Sequence, residues 1–489
     1  MSDNKRFGVM LDCSRNAVMK PEQVKKFVDY ISAFGYNCIQ LYTEDTFEVD
    51  GEPYFGYLRG RYTKDELKNI DAYCAKKGVE LIPCVQTLAH VNQIFRWNEY
   101  ACTVCDTGDI LLADEARTYA LIENIFKTLA ECFTSRTVNI GMDEAHLLGR
   151  GKYLDKHGYV NPFDILNRHL KKVLEIAAKY GFECMMWSDM FIRFANGGEY
   201  YGNKIHATEE AKNSVPDGVN LIYWDYYHTN KSDYDKMIAA HNKLVSPDRV
   251  WFAGGAWVWK GFAPDNTITR KSMKPAMQSC REHGVKNVFI TLWGDDGKEC
   301  SYFSVLPSLY YIKKIYDGEN DMSAIKQGFK QIMGVDYDAI CALDLPNGVQ
   351  GGSKNNCNPS KYMLYSDPFS GFLDYTVKAG VNAEFASASR KLARKTKESG
   401  GFKYIFDCLK SLCDVLALKA ELGVKLRAAY KSGDKEELAV LVKDMKKIEK
   451  RLEVFFAAFK TLWYTDNKPQ GFEIQEVRLG GLMRRIKTC

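Results

Sequence analysis

The chain has 489 residues, 46% of them hydrophobic and 13% aromatic, which is ample for a large core and excludes a disordered chain. Its 67 basic and 62 acidic residues leave a net charge of only +5 spread along the sequence, without the basic stripe of a nucleic-acid binder. No stretch approaches the roughly 18 uninterrupted apolar residues of a membrane span, and residues 1–6 carry no apolar leader, so a cytoplasmic protein without membrane contact is expected.

Strand-like and helix-like segments alternate from the start. Strands are predicted at residues 7–11, 37–42, 80–85, 137–141, 184–187, 220–224, 250–253 and 287–292, and amphipathic helices at 21–34, 64–77, 115–132, 162–180, 233–244 and 273–283. Pro21 and Pro162 suit first helical turns, while Gly35, Gly78, Gly181 and Gly284 each stand between a helix and the next strand, as C-capping glycines do. Eight strands with crossover helices predict a (β/α)8 TIM barrel over residues 1–316; an open doubly wound sheet fits the pattern less well. Beyond it the pattern turns helical, with apolar faces at 383–397, 402–431 and 435–462. This predicts an all-helical C-terminal region, 317–489, whose amphipathic pair packs on the barrel or on a second copy of the chain as a homodimer. The Gly/Asn/Ser-rich connection 347–360 is expected near a cleft.

The 15 cysteines form no framework, and Cys38, Cys84 and Cys184 lie in apolar runs, which suits reduced thiols in a reducing compartment. Cys102 and Cys105 have zinc-like spacing, but no second ligand pair follows, so neither a metal nor a cofactor is expected.

Barrel enzymes place their sites at strand C-terminal ends, which makes those positions candidates by location. Asp143 and Glu144 follow the fourth strand as adjacent carboxylates. Such a pair ionises with difficulty, so one member is expected at a raised pKa as a general acid while the other stays charged; the competing reading is an N-cap opening a helix. Around the same face come Asp12 and Arg15, Glu44 and Asp45, Gln86 and His90, Trp187 and Asp189, Trp224 to Tyr227, Trp257 and Trp259, and Trp293, Asp295 and Glu299. Six of the eight tryptophans fall between Trp187 and Trp293. Indoles stack on pyranose faces and carboxylates or Arg hold hydroxyls, so the cluster points to a sugar.

The segments 8–15, 139–144, 186–189, 223–227 and 292–299 resemble glycoside hydrolase family 20, the β-N-acetylhexosaminidases, in the short branch similar to hexosaminidase D. The resemblance implies an exo-acting, retaining enzyme that releases terminal β-linked N-acetylhexosamine, GlcNAc or GalNAc, with the substrate's own acetamido oxygen as nucleophile and an oxazolinium intermediate. It assigns Glu144 as general acid and then base, and Asp143 as the carboxylate that steadies the acetamido N–H. Tyr226 or Tyr227 donates to the acetamido oxygen; the strand face shared with Trp224 favours Tyr226. Trp187, Trp224 and Trp293 would wall the sugar, Arg15, Asp295 and Glu299 would fix its hydroxyls, His90 would support the acidic pair, and Trp257 would stand on the leaving-group side. Two departures stand out. Asn139 and Met142 replace the family's His and second Gly before the acidic pair, and, with the first strand predicted at residue 7, the non-catalytic α/β domain of longer members is not expected. Three other readings remain open: a barrel glycosidase with separated carboxylates drawn from Glu44, Asp189 or Asp225, a sugar-binding barrel without turnover, and a scaffold built on the helical tail.

Overall fold

The computed structural model describes residues 5–202, 207–355 and 358–488. Eight parallel strands close into a barrel: β1 (Arg6–Asp12), β2 (Cys38–Thr43), β3 (Glu80–Val85), β4 (Thr137–Asn139), β5 (Glu183–Trp187), β6 (Asn220–Trp224), β7 (Val250–Gly255) and β8 (Asn287–Leu292). Closure runs through β1, whose Leu11 faces Leu41 of β2 on one side and Leu292 of β8 on the other. The strands are buried on both faces because helices cover the outside, which is why they read as nearly continuous apolar runs.

The punctuation in the sequence has a physical cause at each point. Gly35, Gly78, Gly181 and Gly284 all hold positive φ after their helices, a conformation that costs a side-chain-bearing residue about 1 kcal/mol. Thr63 and Glu66 form a reciprocal capping box at the helix Lys64–Lys76. The predicted helix 273–283 begins earlier, at Asn266, where the Asp265 side chain accepts the Ile268 N–H, and it runs on through Pro275. The interior proline and the two threonines of its first turn hide this start from a propensity reading. β4 is shorter than the predicted 137–141 because Gly141 and Met142 turn to φ +72° and +69°.

After the helix Leu306–Tyr316 the chain is helical, and it docks onto the barrel's C-terminal mouth. Phe262, in the loop after β7, meets Phe455 and Phe459 of the 32-residue helix Lys435–Asp466 at ring distances of 5.4 and 5.3 Å. Asp466 at that helix's end accepts from Ser301, beyond β8, and Asn16, beyond β1, donates to the carbonyls of Gly297 and Gly471. Of the two packing partners left open for the amphipathic tail, the structure therefore supplies the barrel.

The predicted helix 402–431 is two helices, Lys403–Lys419 and Leu422–Ser432. At the break the Lys419 ammonium donates to the carbonyls of Met363 and Ser366, and the Glu421 N–H is taken by the Asn382 side chain. These long-range bonds are invisible to helical periodicity. The last helix, Phe472–Thr488, lies within the predicted helical region but shows no clear periodic segment of its own in the sequence, because Gly480 and Gly481 sit in its middle. Among the described residues no helix is long and apolar enough to cross a membrane.

Candidate active site

The site is assembled at the C-terminal ends of the barrel strands. Asp12 accepts the N–H groups of Ser14 and Arg15 on one oxygen and that of Gly294, beyond β8, on the other, which folds the β1 loop across the barrel seam and aims Arg15 into the mouth. Arg15 donates through Nε to Glu44 at 2.8 Å and through Nη1 to Asp295 at 2.8 Å. The Tyr42 hydroxyl donates to Glu44 at 3.1 Å, Gln86 donates to Tyr42 at 3.1 Å, and the same Gln86 amide lies 2.8 Å from Asp143 Oδ1. A continuous polar chain thus runs from Asp295 to Asp143, rooted in buried groups that lock one another's rotamers.

The backbone before Asp143 is under strain. Met142 stands where the family pattern has glycine, yet it takes φ +69°, the left-handed conformation glycine would supply; Glu144 follows at φ +52°. Each such residue costs of order 1–3 kcal/mol and persists only where neighbours impose it. Gln86 is one of those neighbours, since its Oε1 accepts the Met142 N–H at 3.2 Å. Gly141 is irreplaceable here, because a Cβ would fall 2.0 Å from that same oxygen. Asn139, in place of the family's His, accepts the Gly141 N–H at 3.1 Å. The chain turns after Glu144 and the next helix begins only at Lys152, which disposes of the N-cap reading.

His90 Nε2 lies 3.2 Å from Asp143 Oδ2 and 3.8 Å from Glu144 Oε2, the former a charge contact more than an aligned hydrogen bond. Burial alone would lower the imidazole pKa, but Asp143 outweighs it and holds it up at about 9, against the opposing push of Arg15. Burial works to raise the carboxyl of Asp143, and His90 and Gln86 together bring it below the usual range.

A third carboxyl, Asp189, stands just beyond the end of the fifth strand and has no role in the family-like site. It is fully buried, accepts the Glu144 N–H at 3.0 Å, and is pushed up to about 7 by burial and then by Asp143. A carboxyl raised in the fold favours folding fully below its unfolded value near 4, and that contribution is lost as pH rises through about 7. Asp189→Asn should therefore flatten the stability profile across this window, gaining Tm relative to the unmodified protein at pH 8 over pH 5. Melting curves that stay parallel at the two pH values would contradict it.

The pocket itself is lined by Arg15, Asp143, Glu144, Asp295 and aromatic rings. Trp293 donates its indole N–H to the Tyr226 hydroxyl at 3.1 Å, leaving that hydroxyl's own proton for a ligand. Trp224 stacks with Tyr226 at 5.6 Å, and Trp187 leans on Trp293 at 5.8 Å. Gly255 at the end of β7 makes room for this packing, since a Cβ would lie 2.9 Å from Tyr226 and 3.0 Å from Trp259. Tyr227 also lines the pocket but is 46% exposed, whereas Tyr226 is 6% exposed and fixed.

Nine of the twelve expected site residues line this pocket: Asp143, Glu144, Tyr226, Arg15, Trp187, Trp224, Tyr227, Trp293 and Asp295. His90 stands behind Asp143. Two others are placed elsewhere. Glu299 points away from the pocket and binds Lys361 at 2.9 Å and Arg478 at 3.3 Å, clamping the helical region to the barrel. Trp257 is buried behind the wall, its indole N–H on the Tyr226 carbonyl at 3.0 Å, and Trp259 takes the lining position. The family-like assignment passed over Trp259, although its position beyond β7 was the available signal. Of the alternative carboxylates, Glu44 is occupied by Arg15, Asp189 by the Glu144 backbone, and Asp225 by Tyr223 and His228 at 2.7 Å each; none lines the pocket. Cys102 and Cys105 are surface and partly buried thiols, and no cluster of potential metal ligands occurs among the described residues.

An adjacent acidic pair among stacked indoles, at the C-terminal mouth of a (β/α)8 barrel, narrows the class to barrel proteins with carbohydrate-type pockets. The family model for the catalytic domain of glycosyl hydrolase family 20 matches residues 6–252, and that for the glycoside hydrolase 20C C-terminal domain matches residues 335–489. The chain belongs to glycoside hydrolase family 20. Among curated relatives, hexosaminidase D of Bos taurus is 24% identical over 260 residues, 51% of this chain and 70% of its own length. A beta-hexosaminidase of Akkermansia muciniphila is 26% identical over 168 residues, 28% of this chain and only 34% of its own length. In fold the chain is similar to the exo beta-N-acetylglucosaminidase of Vibrio harveyi, with a TM-score of 0.52 at 13% identity, over 69% of this chain and 58% of that one.

Proposed function

We propose that the protein is an exo-acting, retaining β-N-acetylhexosaminidase that releases terminal β-linked GlcNAc or GalNAc by substrate-assisted catalysis. The observation that carries this reading is the pairing, in one pocket, of Asp143 and Glu144 with a fixed tyrosine hydroxyl, Tyr226, under a wall of indoles. The acetamido oxygen of the substrate attacks its own anomeric carbon. Tyr226 donates to that oxygen and orients it, and Asp143, held ionised by His90 and Gln86, accepts the acetamido N–H as positive charge develops on the forming oxazolinium. Glu144, its backbone pinned by Asp189 and its side chain 44% exposed at the mouth, protonates the leaving oxygen and then takes a proton from the incoming water. Because the nucleophile belongs to the substrate, no second carboxylate is needed beneath the ring. Trp187, Trp224, Trp259 and Trp293 enclose the sugar, while Arg15 and Asp295 hold its hydroxyls. Catalysis is assigned to residues 1–316 and a supporting role to 317–489. The 13 cysteines among the described residues are free thiols, most of them buried, which suits a cytoplasmic setting.

Hydrolysis of nitrophenyl glycosides with and without the 2-acetamido group tests the reading. Turnover is expected for β-GlcNAc or β-GalNAc and at least about a hundredfold less for the matching β-glucoside, since loss of the internal nucleophile removes a positioned reactant. Comparable rates on both would sink it.

A further inference from the structure

A second concavity adjoins the pocket and has no part in the chemistry above. It is a groove between Lys260 and the helix Pro359–Tyr365 with the loop that follows, and Tyr362, Tyr365 and Phe372 give it an aromatic lining. Each of its sides is joined to a loop that carries a pocket residue, Trp259 on one side and Asp295 on the other. Lys260 directly follows the pocket residue Trp259, and its ammonium sits 5.2 Å above the ring of Trp257, which itself stacks on Trp259 at 4.6 Å. On the other side Lys361 binds Glu299, in the same loop as the pocket residue Asp295. The two sides meet at Gly261, where a Cβ would lie 2.5 Å from Asn358 Nδ2.

The lining has the chemistry of a site for neutral sugar. Phe372 is 81% exposed, an aromatic face left in water on the groove. Two of the three charges in the lining are already balanced within the chain, Lys361 by Glu299 and Asp367 by Arg485 at 2.8 Å. Asn358, only 8% exposed, accepts from Ser360 through Oδ1 while its Nδ2 donor is unpaired. Building on the proposed activity, we infer that this groove binds the sugars on the leaving-group side, so that the preferred substrate is a neutral β-linked oligosaccharide several residues long. The helical region thus supplies one wall of an extended substrate site.

The test compares a nitrophenyl N-acetylglucosaminide with β-linked GlcNAc disaccharide and tetrasaccharide, using the full-length protein, Phe372→Ala and Phe372→Tyr. The unmodified protein should prefer the tetrasaccharide over the disaccharide by roughly tenfold in kcat/KM. Phe372→Ala should lose most of that preference and Phe372→Tyr, which keeps the ring, should retain it. A preference absent from the unmodified protein, or unaltered in Phe372→Ala, overturns the inference. So does a change of oligomeric mass in Phe372→Ala at constant preference, which would make the face a self-association surface. If no acetamido glycoside is hydrolysed, the catalytic reading fails separately, and calorimetric titration of the tetrasaccharide decides the groove: weaker binding in Phe372→Ala supports it and absent binding overturns it.

Discussion

Glu144→Gln should lose about 10²–10⁴-fold in kcat on substrates with poor leaving groups and far less on activated aryl glycosides, whose leaving oxygen needs little protonation. Asp143→Asn should depress both substrate types alike, because it acts on formation of the oxazolinium whatever departs. The structure adds a second readout for Asp143. Its carboxylate is the main group holding the His90 imidazole up at about 9, against burial and Arg15, so in Asp143→Asn the imidazole should titrate well below that value. NMR titration of His90 together with leaving-group kinetics checks both. Leaving-group dependence in the Asp143 variant instead of the Glu144 variant would reverse the two roles.

Arg15→Ala should cost about 2–4 kcal/mol in transition-state binding, read as a fall in kcat/KM, since it removes a hydroxyl-binding group and leaves Glu44 buried without its counter-charge. The ratio of GlcNAc to GalNAc hydrolysis should shift in the same variant, because Arg15 and its partner Asp295 line the pocket together. Glu299→Gln provides the contrast. Its carboxylate joins Lys361 and Arg478 of the helical region to the barrel, so this change should lower Tm while leaving the epimer ratio intact. Kinetics on both nitrophenyl epimers, paired with melting curves, distinguish the two residues. Near-normal kcat/KM on both epimers in Arg15→Ala would remove it from the sugar site.

The barrel was legible because its signals are local and repeated. Each strand is a short apolar run, the return helices have amphipathic faces, and at Gly35, Gly78, Gly181 and Gly284 the glycine between helix and strand is required by a positive φ that the structure places there. The acidic pair and the indole cluster were legible for a related reason, since a barrel converts position after a strand into position at the mouth. Glu299 shows the limit of that rule. It follows the eighth strand as Asp295 does, yet Lys361 and Arg478, distant in sequence, draw it outward. Trp257 and Trp259 show it again, since two residues of one short segment exchange wall and backing roles through the packing of Tyr226.

The chain's own residues thus determined the strand count, the capping glycines and the chemical inventory of the mouth, because these depend on periodicity and backbone preference within about twenty residues. Tertiary structure alone decided which carboxyl is lowered and which is raised, since Asp143 and Asp189 differ through His90, Gln86 and burial contributed by other strands. It also decided that Met142 holds a glycine's conformation, that the long 402–431 helix breaks, and that the helical tail closes on the barrel mouth. Each of these is set by contacts between groups far apart in the chain, whose energies no local pattern encodes.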